Sequence, residues 1–324
     1  MTESVTVTAP ATVANVGAGY DVFGFAVDSP VDTVHARLLE RAEDRGKVVV
    51  KAVLPESLGL SCDPTKNTAS LCAKGIMDRM GYQCKFGVEL TVEKGMGVGT
   101  GMGSSAASAA AAAKAMVYFF KGQGVEVPES VVMEALVDAE EAIDGGVHGD
   151  NAFSSYGGGF YVIPSSRDPL LYSRFELPDH MRVILATPPV SVLTADARKL
   201  VPKEVPLEHS VITTGYAGLA IAGIVKRDLR LFGRGIVDPI VTPRRKVLIP
   251  NYDAVVAAAT GAGAFGCSIS GSGPTVFAVC DNNMDLKAVA RGMAEAFGCD
   301  DPVTVRVALP NNVGAKVTSR DYKF

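Results

Sequence analysis

Gly99-Thr100-Gly101-Met102-Gly103-Ser104-Ser105-Ala106-Ala107-Ser108 runs a glycine-dense loop straight into an alanine-rich segment. The three glycines leave no Cβ atoms in the way and permit backbone angles that other residues resist, so successive amides can close around an anion. Ser104 and Ser105 fall where a helix cap belongs. The run Ala106 to Phe120 holds neither glycine nor proline, and seven of its first eight residues are alanine, which predicts a helix. The positive end of its dipole faces the loop, where a di- or triphosphate would be stabilised. No Gly-Lys-Ser/Thr follows, as in a Walker A loop, and the third glycine and acidic partner of a dinucleotide-binding turn are missing. A strand-to-helix turn without a ligand is the competing reading, and other segments must decide.

Around this loop the chain has 324 residues, 48% of them hydrophobic, enough for two domains with their own cores. Its net charge of -4 argues against a nucleic-acid or anionic-membrane partner and favours small-molecule chemistry. No apolar run reaches the roughly 20 residues of a membrane span. The start, Met1-Thr2-Glu3-Ser4, is acidic and polar rather than a signal peptide, and a cytoplasmic location is expected. Six cysteines show neither a CxxC pair nor zinc spacing, which predicts free thiols in a reducing compartment.

Strand periodicity marks Val5 to Thr8, Lys47 to Lys51 and Phe86 to Val92, with a helix over Lys66 to Met80. A Pro, Ser and Asp loop from Pro164 to Pro169 separates two domains, 1–168 and 169–324. Beyond it come a strand at Arg182 to Thr187 and helices over Ala195 to Val201 and Glu208 to Leu229. From Tyr252 to Leu309 the pattern is helix, strand, turn, strand, helix and strand, compatible with a ferredoxin-like layer.

On the helix Pro128 to Ile143, Val132, Leu136, Ala139 and Ile143 share one face, and Glu134, Asp138 and Glu141 the opposite one. Glu140 falls between Leu136 and Ile143, inside the apolar stripe. A buried carboxylate needs a cation, a metal or several donors. The reading divides between an edge carboxylate reaching water or arginine and a magnesium ligand beside a phosphate loop. After this helix, Gly145-Gly146-Val147-His148-Gly149-Asp150-Asn151 sets a polar triplet between glycines, as a binding loop or a merely hydrogen-bonded one. Asn15-Val16-Gly17-Ala18-Gly19-Tyr20-Asp21 reads either as a hairpin turn or as a polar lip on a buried region. Thr194 can cap the helix from Ala195, with Arg198 four residues on along the same face. Arg245 sits in the basic turn Pro243-Arg244-Arg245-Lys246. Arg198 and Arg245 would be solvated surface charges singly, or a bidentate clamp for carboxylate or phosphate if they converge. Ser270-Gly271-Ser272-Gly273-Pro274 joins two apolar strands.

Taken together these segments resemble the GHMP superfamily of small-molecule kinases over nearly the whole chain. Its three motifs occur in order as Ala9 to Asp21, Gly99 to Ser108 and Ser270 to Pro274. The narrower likeness, to the homoserine kinases, rests on Asn15 and Asp21, His148 to Asn151, Thr194 with Arg198, and Arg245 before Leu248-Ile249-Pro250-Asn251-Tyr252. Two departures stand out: Gly97 replaces the proline that opens the phosphate motif, and Met102 replaces a leucine.

The resemblance implies an α/β fold, more fully an α+β two-domain arrangement, with an amino-terminal α/β domain containing a left-handed βαβ crossover and a ferredoxin-like carboxyl-terminal domain. It implies ATP, Mg2+ and L-homoserine as ligands, phosphorylation of the homoserine hydroxyl, and a homodimer. ATP would be held by Gly99, Gly101, Met102, Gly103, Ser104, Ser105, Ala106 and Ser108, with Asn67 and Lys94 near the nucleotide. Ser105 and Glu140 would hold magnesium. Asp21 would pair with the substrate ammonium, and Arg198 and Arg245 with its carboxylate. Asn15 and Asn151 would orient the hydroxyl, with His148, Asp150 and Thr194 completing that wall. Asp150 as a general base is the rival to catalysis by positioning. Shikimate, mevalonate and pantoate kinases are alternative activities within the superfamily, and a ligand-binding member without catalysis is a further one.

Overall fold

The computed structural model describes residues 2–146, 149–164, 168 and 170–323. Strands β1 (Thr2–Val16) and β2 (Gly19–Leu39) form a long antiparallel hairpin. Val5 and Val7 turn into the core, and from Ala9 to Ala14 every residue is buried, so the alternation gives way to burial on both faces and the strand outruns its expected end. Next come β3 (Val48–Leu54), α1 (Thr68–Met80) and β4 (Gly87–Glu93), with β3 and β4 adjacent and parallel. This is a βαβ crossover. The α1 helix starts two residues later than expected because Asn67 caps it through bonds from Ala69 N and Ser70 N.

Helix α2 (Ser104–Gly122) is buried nearly all round, and its alanines let other elements close in on every side. It packs on β1, β2 and α1, and on α3 (Glu129–Asp144) and α4 (Asp150–Gly157). Arg79 of α1 bridges Glu134 and Asp138 on the polar face of α3. On that helix Val132, Leu136 and Ala139 are buried as their spacing predicts, whereas Ile143 is 42% exposed in the last turn. The polar triplet after α3 is not all loop: Asp150 opens α4 and is itself buried.

Strands β5 (Phe160–Val162) and β6 (Ser173–Phe175) extend the first sheet beside β2. The second sheet begins with β7 (Met181–Thr187). Helices α5 (Thr194–Lys199), α6 (Leu207–Val225), α7 (Leu229–Gly235), α8 (Thr242–Arg245) and α9 (Tyr252–Gly261) follow. The helix expected over Glu208 to Leu229 breaks after Val225, and Asp228 caps α7 by accepting from Leu231 N at 2.9 Å. Then come β8 (Gly266–Ile269), β9 (Val276–Asp281), α10 (Leu286–Ala296), β10 (Thr304–Ala308) and β11 (Lys316–Lys323).

The second sheet runs β10-β7-β9-β8, all antiparallel, with α9 and α10 packed together against it. Counting only its own strands, that order is fourth, first, third, second, the ferredoxin-like arrangement expected for the tail. Strand β11 returns to pair with β1, so residues 173–175 and 316–323, beyond the expected 168/169 division, belong to the first sheet. No helix among the described residues is long and apolar enough to cross a membrane.

Candidate active site

The turn between β1 and β2 is both a hairpin and a wall of the site. Asn15 and Asp21 flank it with φ of 56° each, in the left-handed region that non-glycine residues occupy at a cost. Asn15 Oδ1 accepts from Asp21 N at 2.8 Å, and Asn15 Nδ2 donates to Gly271 O at 2.9 Å. The amino-terminal motif is thereby fastened to the turn between β8 and β9.

That turn also grips the glycine loop. Ser270 Oγ donates to Gly101 O at 2.7 Å, and a Cβ at Gly101, where φ is 75°, would lie 2.4 Å from Ser270 O. At Gly103, where φ is 68°, a Cβ would lie 2.1 Å from Thr12 Oγ1. Neither position admits a side chain, so the glycines serve close approach as well as backbone angle. The cap of α2 is Gly103, with no side-chain cap, and Ser104 and Ser105 are its first helical residues rather than caps. Met102 is buried in the core as an apolar replacement for leucine, and Thr100 Oγ1 closes the loop entry onto Gly97 O at 2.9 Å.

Opposite the loop, Glu140 of α3 is 7% exposed and accepts from Ser105 Oγ at 2.8 Å. Burial, with the Glu140 charge adding to it, keeps the nearby Cys72 thiol protonated. Ser104 Oγ is buried and without a hydrogen-bond partner among the described residues. A hydroxyl left so beside uncapped helix amides suits a polyphosphate, which brings acceptor oxygens. The Ser105 hydroxyl and Glu140 carboxylate are an oxygen pair of the kind that magnesium accepts alongside phosphate and water.

Arg198 of α5 reaches Asp21 through two bonds of 3.4 Å. Arg245, in the basic turn, is only 3% exposed, so it is not a solvated surface charge. It donates to Ala197 O at 3.1 Å, Gly271 O at 3.4 Å and Tyr20 Oη at 3.2 Å, and stacks on the Tyr20 ring. Burial raises the Tyr20 pKa, with Asp21 next in effect, so its phenol stays neutral. Burial lowers the pKa of Arg245, while Tyr20 and Asp21 oppose that shift. Thr194 is the first residue of α5, and Leu193 holds the cap position. Asp150 Oδ1 accepts from Asn151 N at 3.0 Å.

Among the candidates, Asn15, Asp21, Asn67, Lys94, Gly99, Gly101, Gly103, Ser104, Ser105, Ser108, Glu140, Asp150, Asn151, Thr194, Arg198 and Arg245 line one cleft of about 390 Å³. Met102 and Ala106 are buried behind it. His148 lies outside the described residues. Asn67 is committed through its oxygen to capping α1. Lys94 donates to Asp32 Oδ2, to Ser104 O at 2.7 Å and to Ser108 Oγ at 2.7 Å, which uses its three ammonium donors. It anchors the start of α2. Sequence reasoning missed Asp32, wholly buried in β2, although a lone carboxylate in Val31-Asp32-Thr33-Val34 was a signal.

Residues 67–159 match the model of the GHMP kinase N-terminal domain, and residues 220–299 that of the GHMP kinase C-terminal domain. The chain belongs to the GHMP kinases. A homoserine kinase of Pyrococcus abyssi is 35% identical over 289 residues, 89% of this GHMP kinase and 91% of that protein. The crystal structure of homoserine kinase from Cytophaga hutchinsonii superposes with a TM-score of 0.88 at 36% identity, covering 97% of both chains. The fold extends further: L. major mevalonate kinase in complex with R-mevalonate has a TM-score of 0.68 at 12% identity, covering 94% of this chain and 95% of that one.

Proposed function

We propose that this GHMP kinase transfers the γ-phosphoryl group of ATP to the hydroxyl of L-homoserine, giving O-phospho-L-homoserine on the way to threonine. The observation that carries the reading is the convergence of Asp21, Arg198 and Arg245 on the cleft that the glycine loop lines. Asp21 and Arg198 face each other at 3.4 Å, a loose pairing that an amino-acid zwitterion can replace at both ends: ammonium on Asp21, carboxylate on Arg198 and Arg245. Shikimate, mevalonate and pantoate bring a carboxylate but no ammonium to meet the Asp21 carboxylate. The relatives named homoserine kinase, similar over about nine-tenths of the chain, support the same substrate.

In this reading the loop amides and Ser104 take the ATP phosphates, and Val53, Leu60, Val92 and Val98 offer the base an apolar wall. Ser105 and Glu140 hold magnesium, which when bound neutralises charge on the phosphate oxygens. Asn15 and Asn151 position the reacting groups, and Asp150 serves that wall rather than taking the proton. The ATP-binding unit is 1–168 and the ferredoxin-like unit 169–324, with β6 and β11 returned to the first sheet. A cytoplasmic location is part of the proposal, supported by six free cysteines.

A coupled ADP-release assay across the four alcohols tests the substrate. Homoserine gives the highest kcat/KM. Turnover of another alcohol with none on homoserine ends the assignment.

The reading includes a homodimer, supported by α6, where Leu207, Val211, Leu219 and Val225 are exposed with no charged residue between His209 and Lys226. Light scattering on the eluting protein is expected to give twice the chain mass, and Val211→Glu to give a monomer. A wild-type monomer at micromolar concentration removes the dimer.

A further inference from the structure

Thr12 lies wholly buried in β1, among the apolar residues of Ala9 to Ala14. The β1–β2 register slips between Pro10 and Thr12, and the Thr12 amide donates to Met102 O of the glycine loop at 3.0 Å. Its hydroxyl donates to Asn151 Oδ1 at 2.7 Å. One turn along α4, Ser155 Oγ donates to Pro10 O at 2.8 Å, so the face of α4 carrying Asn151 is fastened to β1 at two points. Gly24 of β2 lets α4 come closer still, since a Cβ there would sit 2.1 Å from Asp150 O.

A carboxamide has an acceptor end and a donor end. With the Asn151 oxygen held by Thr12, the end left for the cleft is the NH2 group. Asn15 is fixed at both ends, its oxygen accepting from Asp21 N and its nitrogen donating to Gly271 O, which leaves one N–H of its amide. We propose that Thr12 is a positioning residue that locks Asn151 with its N–H donors toward the reacting groups, making it a donor to the alcohol or phosphoryl oxygen and never an acceptor of the alcohol proton. As the alcohol oxygen bonds to the γ-phosphorus and the bond to ADP breaks, the alcohol proton then leaves to a phosphate oxygen or to water. The inference rests on the kinase reading above, and its test separates the two.

Thr12→Val keeps the shape and removes the hydroxyl, so the amide can turn over. The expected result is a kcat about tenfold lower, the worth of one good hydrogen bond, with KM for alcohol and ATP within about threefold of wild type. Thr12→Ser restores kcat. In an Asn151→Ala background Thr12→Val has no further effect on kcat, whereas a purely structural role would give an additive loss. The Asn151 side-chain amide resonance, recognised by its absence in Asn151→Ala, shifts in Thr12→Val and returns in Thr12→Ser. This last measurement is independent of the substrate, so wild type inactive on homoserine would sink the substrate assignment and leave the lock to be judged by the resonance. Thr12→Ala, read in the same way, stands in should the valine variant fail to fold. An unchanged kcat, an additive loss, or an unmoved resonance overturns the proposal.

Discussion

Glu140→Gln is expected to lower kcat by about 10³, near the upper end for deleting one preorganised charge at a transferring group, while the protein stays folded. The substitution is close to isosteric, and the glutamine oxygen can still accept the 2.8 Å bond from Ser105 Oγ, so the contact between α2 and α3 survives. What disappears is the negative charge beside Ser105 at a 7% exposed position, and with it the reason for a divalent cation to settle there. Calorimetry should show magnesium no longer tightening ADP binding in the variant, a readout that does not depend on turnover. Melting within about 2 °C of wild type, no more than about 1 kcal/mol at roughly 2–4 °C per kcal/mol, certifies the fold. A folded Glu140→Gln enzyme with kcat within tenfold of wild type removes Glu140 from the proposed magnesium site.

The parts of the site that were legible in the sequence are those whose signal is local. Glycines at alternate positions followed by alanines announce a loop closing on a buried helix, because close approach and small side chains serve the same packing. Glu140 is readable for a similar reason, since a carboxylate within an apolar stripe has to meet a partner. The turn from Asn15 to Asp21 left a hairpin and a polar lip as rivals, and the fold makes it a hairpin whose Asn15 and Asp21 line the cleft.

Arg245 was open to misreading because nothing near it in the chain explains its burial. The Tyr20 ring and hydroxyl that receive it are 225 residues away, and the carbonyls of Ala197 and Gly271 come from two further segments. Thr12 was hidden differently: a β-branched residue in a strand needs no explanation, and its hydroxyl acquires meaning only when α4 brings Asn151 to it. Helix ends were displaced wherever a capping residue overrode periodicity, as Asn67 does for α1 and Asp228 for α7.

Lys94→Met is expected to cost about 3–5 kcal/mol of folding stability, the range for breaking a buried ion pair from one side. With roughly 2–4 °C per kcal/mol for a chain of this size class, Tm should fall by about 10 °C. The cause is the carboxylate left behind. Asp32 is wholly buried; without Lys94 it keeps Gly95 N at 3.0 Å and Ser108 Oγ at 2.8 Å but loses its cation. Asp32→Asn in the same chain removes the stranded charge while preserving an acceptor for Gly95 N, so the double variant should regain at least half of the lost stability. Its kcat should remain low, because Ser104 O and Ser108 Oγ still lack the ammonium that holds the first turn of α2 beneath the glycine loop. A direct contact between Lys94 and the nucleotide predicts the opposite pattern: KM for ATP raised by tenfold or more, Tm unchanged, and nothing regained on adding Asp32→Asn. Thermal unfolding and ATP kinetics on the two variants separate an anchor from a nucleotide ligand, and an unchanged Tm in Lys94→Met would rule out the anchor.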